Sequence, residues 1–426
     1  MHHKGRFPDA FFGASLRPNS AAFAVMILLV LLFLTVTAQP ARAQSYKVIH
    51  TFTGGLDGAS PSAGLTMDAF GNLYGTTGYG ARCGTVFKLT HTNFDWVFTP
   101  LYIFQGGTDG CDPWARVIFG PDGNLYGTTR GGGSGGAGCG TVFELSPPAQ
   151  PPSNVMSGWI ETLLYRFRGA PDGCDPDFSP VSFDSGGNIY LTTVEGGDQL
   201  NGGAVVKLVP YHGGWTESVI YSFPYDGSPE SGVILDKLGN LYGTLQHNSG
   251  AGAVFQLVPS ESGWIENVLY SFHAGGDGAN PEGGLLFDQS GNLYGTTDSF
   301  GVGGGGTVFE LTPSNGEWVF SLLYSLVGSP YVGPYDSLIM DSFGNLYGTT
   351  YGGGAYGYGS VFELTPTQTG WTYRSLHDFT LGNGGSNPMG SVMLAPNGKF
   401  YGTTWLGGNL SCGGGAGCGV VFEITP

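Results

Sequence analysis

Glu230 and Glu282 each directly follow a proline, in stretches of sequence that otherwise resemble one another. Two carboxyl groups held about 5 to 10 Å apart can act as acid and base on a glycosidic bond, which makes this pair the first candidate for chemistry. His247, in LQHNSG, sits where the surrounding pattern loses its usual Thr-Thr and would be the histidine to join them. Beyond residue 43 the histidines His50, His91, His212, His247, His273 and His377 fall at unrelated places, so no histidine-based metal site or activated nucleophile is visible.

The position after the proline is filled in turn by Ser62, Trp114, Asp177, Glu230, Glu282, Tyr335 and Met389. The position after a recurring GNLYGTT is filled by Gly78, Arg130, Val194, Gln246, Asp298, Tyr351 and Trp405. Both vary while their neighbours hold, a freedom that a shared packing role would not give. Trp114, Tyr335, Tyr351 and Trp405 offer flat faces to sugar rings. Asp177, Glu230 and Glu282, with Arg130, offer hydrogen bonds to hydroxyls, a mixture suited to a polar neutral ligand. Drift on exposed loops would produce the same variation.

Residues so far apart in sequence need a repeating frame to bring them together. GNLYGTT begins at Gly71, Gly123, Gly291 and Gly344, with looser copies at Gly187, Gly239 and Gly398. The steps between copies are 52, 64, 52, 52, 53 and 54 residues, so seven units of one length carry a single long insertion. Within the unit from Pro281, four short runs, GLLFD, NLYGTT, GTVFELT and WVFSLLYSL, are separated by Gly, Asn, Asp and Ser; they read as strands a, b, c and d. The Asp-x-x-Gly-Asn link from a to b suits a tight hairpin. No segment has a helical period, so the chain is all-β, and a nucleophile elbow has no helix to stand on. Runs such as Val308-Phe309 are apolar on both faces, as in sheets sandwiched between neighbours.

Seven four-stranded units predict a seven-bladed β-propeller, with a β-helix as the rival. The ends separate the two. SYKVIHTF, from Ser45, aligns with strand d, and the chain stops at Pro426 after strand c. The last blade would thus be closed by the N-terminal strand, where an open solenoid would need caps.

GNLYGTT paired with GTVFELTP, and Asp-Gly-x-x-Pro before strand a, resemble the GloVer (Gloeobacter/Verrucomicrobia) tandem repeat of bacterial choice-of-anchor surface proteins over essentially all of Ser45 to Pro426. The resemblance implies export and a repeat fold, and implies no reaction. Nothing like a C-terminal sorting or anchoring tail follows Pro426, a departure that leaves surface attachment open.

On a propeller the b to c and d to a loops share one face. Cys83 precedes strand c of the first blade and Cys111 lies in the loop entering the second; Cys139 and Cys174 repeat the arrangement one unit later. The expected disulfides are Cys83 to Cys111, Cys139 to Cys174 and, within the last b to c loop, Cys412 to Cys418. Metal binding is disfavoured by sparse histidine and the lack of Cys-x-x-Cys. Trp96, Trp159, Trp215, Trp264, Trp318 and Trp371 open the d strands and should pack between blades. Asp57, Asp109, Asp172, Asp226 and Asp277 lack calcium-loop spacing and read as Asx-turns. Gly131 to Gly136 lacks the Lys-Ser/Thr of a phosphate loop and reads as a flexible connection.

The composition fits this frame. Of 426 residues 14% are aromatic and only 11% charged, and the strict period argues for a packed fold despite 78 glycines. A net charge of −17 without any Lys/Arg cluster speaks against nucleic acid and anionic membrane surfaces as partners. Residues 1–43 read as a signal peptide: basic Lys4, Arg6 and Arg17, a charge-free run from Ala21 to Ala38, and Ala41-Arg42-Ala43 before Gln44. The same run is just long enough to span a bilayer as an uncleaved anchor. The expectation is therefore a secreted or periplasmic monomer, one propeller domain over 44–426. It would use no cofactor and serve as a binding or surface-interaction scaffold for a polysaccharide or another surface protein. The alternative is a propeller-type polysaccharide hydrolase, lyase or lactonase using Glu230, Glu282 and His247.

Overall fold

Strand b, LYGTT in most repeats, is buried from end to end in all seven units, and the residue types along it explain how the sheets form. A computed structural model describes residue 1 and residues 44–426 apart from 94, 134–137, 149–157, 199–200, 248–249 and 331. The expected signal segment, most of the long insertion and part of the Gly131 to Gly136 run lie outside the described residues.

Each repeat is a four-stranded antiparallel sheet in the order a-b-c-d, and seven such sheets stand in a ring, a seven-bladed β-propeller. Blade 2 is typical, with a at Ile118–Phe119, b at Leu125–Thr129, c at Thr141–Ser146 and d at Ile160–Arg166. Blade 7 takes a, b and c from Met393–Leu394, Phe400–Thr404 and Val420–Thr425, and its outer strand from the other end of the chain, Ser45–Thr51. Tyr46 there pairs with Ile424 and Val48 with Phe422, so the last blade is closed by the N-terminal strand.

Within a blade, the glycine of strand b stands opposite the phenylalanine of strand c, as Gly75 opposite Phe87 and Gly127 opposite Phe143. A Cβ on either glycine would come within 2.6 Å of the facing ring. Blade 3 reverses the sizes, with Leu191 opposite Val206. Bulk is thus shared across the strand pair, and the interior stays filled.

Between blades, the d-strand tryptophans pack as expected: Trp96 meets Tyr401 of blade 7, Trp159 meets Tyr74 of blade 1, and Trp318 meets Tyr242 of blade 4. The first threonine after the glycine or leucine of strand b crosses to the following blade in every blade but the fifth. Thr76 donates to the carbonyl of Ala115 at 3.1 Å, Thr192 to Ser231 at 2.7 Å, Thr244 to Gly283 at 3.2 Å and Thr349 to Gly390 at 3.1 Å. Thr403 closes the circle on Ala63 at 2.8 Å.

Four of the five expected aspartates, all but Asp226, close the d to a loops, though by a different bond. Asp57, Asp109, Asp172 and Asp277 accept the backbone N–H four residues earlier, from Thr53, Gln105, Arg168 and His273. The forward Asx-turn is found instead in the a to b hairpins, where Asp68 accepts the N–H of Phe70 and Asn72. The three disulfides are Cys83–Cys111, Cys139–Cys174 and Cys412–Cys418. No helix among the described residues is long and apolar enough to cross a membrane.

Two outcomes follow from closure and from volume exchange. Removing Ser45–Thr51 exposes the edge of Val420–Thr425, and the melting temperature should fall by many degrees; a truncated chain that melts like the full one contradicts the closure. Gly127→Leu alone should destabilise by about 1–3 kcal/mol or more through overpacking. Adding Phe143→Val, which copies blade 3, should restore most of that loss in urea unfolding, and purely additive effects would show that the two positions do not share volume.

Candidate functional site

The residue before the strand-a proline adopts a positive φ in six blades: 55° at Ser60, 59° at Asp112, 63° at Asp175, 46° at Ser228, 55° at Asn280 and 55° at Asn387. Short polar side chains tolerate this left-handed turn better than others. It brings the residues just after the proline to the mouth of the central channel. There Ser62, Trp114, Phe178, Tyr335, Tyr351, Met389 and Trp405 line one cavity of about 240 Å³. Tyr335 and Tyr351 meet edge to face at 5.3 Å, Tyr351 and Trp405 lie 6.2 Å apart, and Trp114 lies 5.5 Å from Phe178. All four expected aromatic residues are therefore together.

Phe178 was not expected. Blade 3 has one extra residue between Pro176 and the hairpin Asp184, compared with Pro61 and Asp68 of blade 1. Alignment on the proline places Asp177 in the ring, whereas the structure places Phe178 there. The spacing to the next aspartate was the signal that could have shown it.

Asp177 is buried beside Arg130, 3.9 Å away, and Arg130 holds Asp175 through Nε at 2.9 Å and Nη2 at 3.3 Å. The Arg130 guanidinium also lies over the Trp114 ring, 4.7 Å from its centroid. Arg130 and Asp177 thus brace the aromatic wall and do not line its cavity. Similar contacts link the two variable positions elsewhere. Gly78 leaves room for Trp114, whose Nε1 would stand 2.2 Å from a Cβ there, and Gln246 donates to Glu282 at 2.5 Å. The variable residues therefore do have a packing role, one that matches pairs across neighbouring blades and does not keep a single residue type.

Glu282 lines a narrow throat of about 20 Å³ below the mouth, together with Trp114, Tyr335, Ser62, Arg116 and Asp336. Burial pushes its carboxyl up to about 9, with Asp298 and Glu230 adding repulsion. Burial likewise raises Asp177 to about 8, Glu230 to about 7 and Asp298 to about 6. Asp298 is fully buried, and the Ser299 and Asn280 side chains beside it offset part of the rise. Glu230 is close enough to oppose the ionisation of Glu282, but His247 does not join them: it is exposed and makes no hydrogen bond or ion pair with either. Among the described residues no group of three or more His, Cys, Asp or Glu is arranged to hold a metal ion.

The family model described as the Gloeobacter/Verrucomicrobia repeat matches residues 35–250 and 228–426. No curated protein matches the chain in sequence. Among solved structures, the chain is similar to a candidate 6-phosphogluconolactonase of Bacteroides fragilis, at 12% identity and a TM-score of 0.52 over 83% of this chain and 98% of that one. It is also similar to a candidate 6-phosphogluconolactonase of Bacteroides uniformis, at 13% identity and a TM-score of 0.47 over 74% and 84% of the two chains. A third similarity is to PorZ, a surface component of the type-IX secretion system of Porphyromonas gingivalis, at 15% identity and a TM-score of 0.48 over 85% of this chain and 46% of that one. At these identities the likeness extends to the fold alone.

Raised carboxyl values make stability fall with rising pH. The folded chain keeps protons on Glu282 and Asp177 that the unfolded chain releases above about pH 4. Their contribution is complete below that pH and is lost as the pH rises through about 8 for Asp177 and about 9 for Glu282. Glu282→Gln should therefore lose less melting temperature between pH 5 and pH 9 than the wild type. Identical slopes would show that Glu282 does not hold its proton in the folded state.

Proposed function

The chain belongs to the Gloeobacter/Verrucomicrobia repeat family, and we propose that it is an exported, non-catalytic propeller that binds polysaccharide at its aromatic mouth. The carrying observation is that Trp114, Phe178, Tyr335, Tyr351, Met389 and Trp405, drawn from four blades, line one cavity. Aromatic faces stack on the C–H faces of sugar rings, and a cavity of about 240 Å³, below the roughly 300–1,000 Å³ of larger ligand sites, takes one ring. Glu282, protonated at neutral pH, is a hydroxyl-like donor at the bottom of the mouth. Three disulfides support export, since such bonds persist outside the cytoplasm.

A second reading has an observation of its own. Burial holds Glu230 near 7 and Glu282 near 9, and two carboxyls separated around neutrality can divide the roles of base and acid. The binding reading is preferred because, among the described residues, His247 is exposed and joins neither carboxyl.

A glycan array separates the two. The wild type should be retained on a defined set of glycans without releasing product, and Trp114→Ala and Trp405→Ala should each weaken retention by about tenfold with unchanged melting temperature. Product release that Glu230→Gln or Glu282→Gln abolishes would establish the enzyme in place of the binding module.

A further inference from the structure

One residue at the channel wall breaks the pattern of the other six blades. Two residues before the paired residues of strand a, the chain has Gly64, Pro180, Gly232, Gly284, Ser337 and Ser391 in six blades and Arg116 in blade 2. The small residues leave a central cavity of about 480 Å³, and Arg116 lines both this cavity and the throat beneath the mouth. The guanidinium is half-buried and forms no ion pair or hydrogen bond with any described residue.

The acidic groups nearby are already accounted for. Asp336, which shares both cavities, accepts the backbone N–H of Ser337 at 2.6 Å and of Ser391 at 2.7 Å. Glu282 carries a proton at neutral pH, so it donates to an anion and does not repel it. The Ser391 hydroxyl, on the cavity wall, is buried without a partner. In a chain of net charge −17, an inward guanidinium with five donors and no paired carboxylate among the described residues leaves its donors open to an anionic ligand.

This step rests on the mouth being a sugar site: we infer that the bound sugar is a uronic acid, its ring among the aromatic residues of the mouth and its carboxylate in the throat against Arg116. The throat, about 20 Å³, has room for roughly one water-sized group. A planar carboxylate matches the fork of the guanidinium and is a thinner group to present to so narrow an opening; a tetrahedral sulfate ester pairs with the same fork but is bulkier.

The test uses the whole chain on an array of matched neutral, uronate-containing and sulfated oligosaccharides, with Arg116→Ser, Arg116→Lys and the Trp114→Ala/Trp405→Ala double variant. Serine stands at this position in blades 6 and 7, so Arg116→Ser should keep the wild-type melting temperature. Wild-type retention should be about tenfold or more stronger on uronate glycans than on their neutral partners. Arg116→Ser should reduce it to the neutral level, Arg116→Lys should keep part of the preference, and the double tryptophan variant should lose both classes. Equal retention of neutral and uronate glycans, or uronate retention untouched by Arg116→Ser, overturns the role of Arg116 and leaves the mouth a sugar site. Preference for sulfated glycans overturns the carboxylate. No retention of any glycan by the wild type overturns the sugar site itself.

Discussion

The structure depends on the hydroxyl of the first threonine near the end of strand b, which in six of the seven blades reaches out of its own blade to a carbonyl of the next. That carbonyl belongs to the residue beside the one at the mouth: Ala115 next to Trp114, Ser231 next to Glu230, Gly283 next to Glu282, Gly390 next to Met389. In blade 3, Thr128 reaches both Pro176 and Ser179, on either side of Asp177 and Phe178. The bonds that hold the ring closed are therefore the bonds that place the site. Each is worth about 1 kcal/mol when made and more than that when its buried groups are left alone, so blade number and site geometry are fixed together. Thr296, facing blade 6, has no partner for its hydroxyl, and this is the junction where Asp336 turns inward to the backbone of Ser337 and Ser391.

Inside each blade the constraint is volume. The glycine of strand b is required because a phenylalanine ring fills the space where its Cβ would stand, and blade 3 satisfies the same constraint with leucine and valine. What is kept from blade to blade is the filled interior, and the residue types are one solution to it.

The mouth is uneven because its residues are matched in pairs across neighbouring blades. Trp114 needs Gly78 beneath it, Arg130 holds Asp175 and stacks on Trp114, and Gln246 holds Glu282. Blades 2, 3, 6 and 7 supply aromatic and apolar surface, while blades 4 and 5 supply Glu230, Glu282 and Asp298. Those carboxyls stay protonated to higher pH because burial penalises the anion. The mouth thus has protonated acids at one side and a guanidinium below it.

Much of the fold was legible in the sequence because its causes are local. Turn residues, the glycine and phenylalanine of strands b and c, the threonines and the tryptophans recur at fixed spacing, and the unmatched strands at the two ends, Ser45–Thr51 and Val420–Thr425, disclosed the closure. The cysteine pairs followed once the loops were placed on one face. The candidate site was legible only in part. Sequence alone singled out Trp114, Tyr335, Tyr351, Trp405, Glu230 and Glu282, because they break the repeat. It could not show that Phe178 takes the place assigned to Asp177, since one inserted residue shifts which side chain turns inward. Nor could it show that Arg130 and Asp177 brace each other, that His247 stays outside, or that Arg116 stands unpaired in the channel. Those facts depend on contacts between residues one repeat or more apart, and the curvature of the closed ring decides which of them meet.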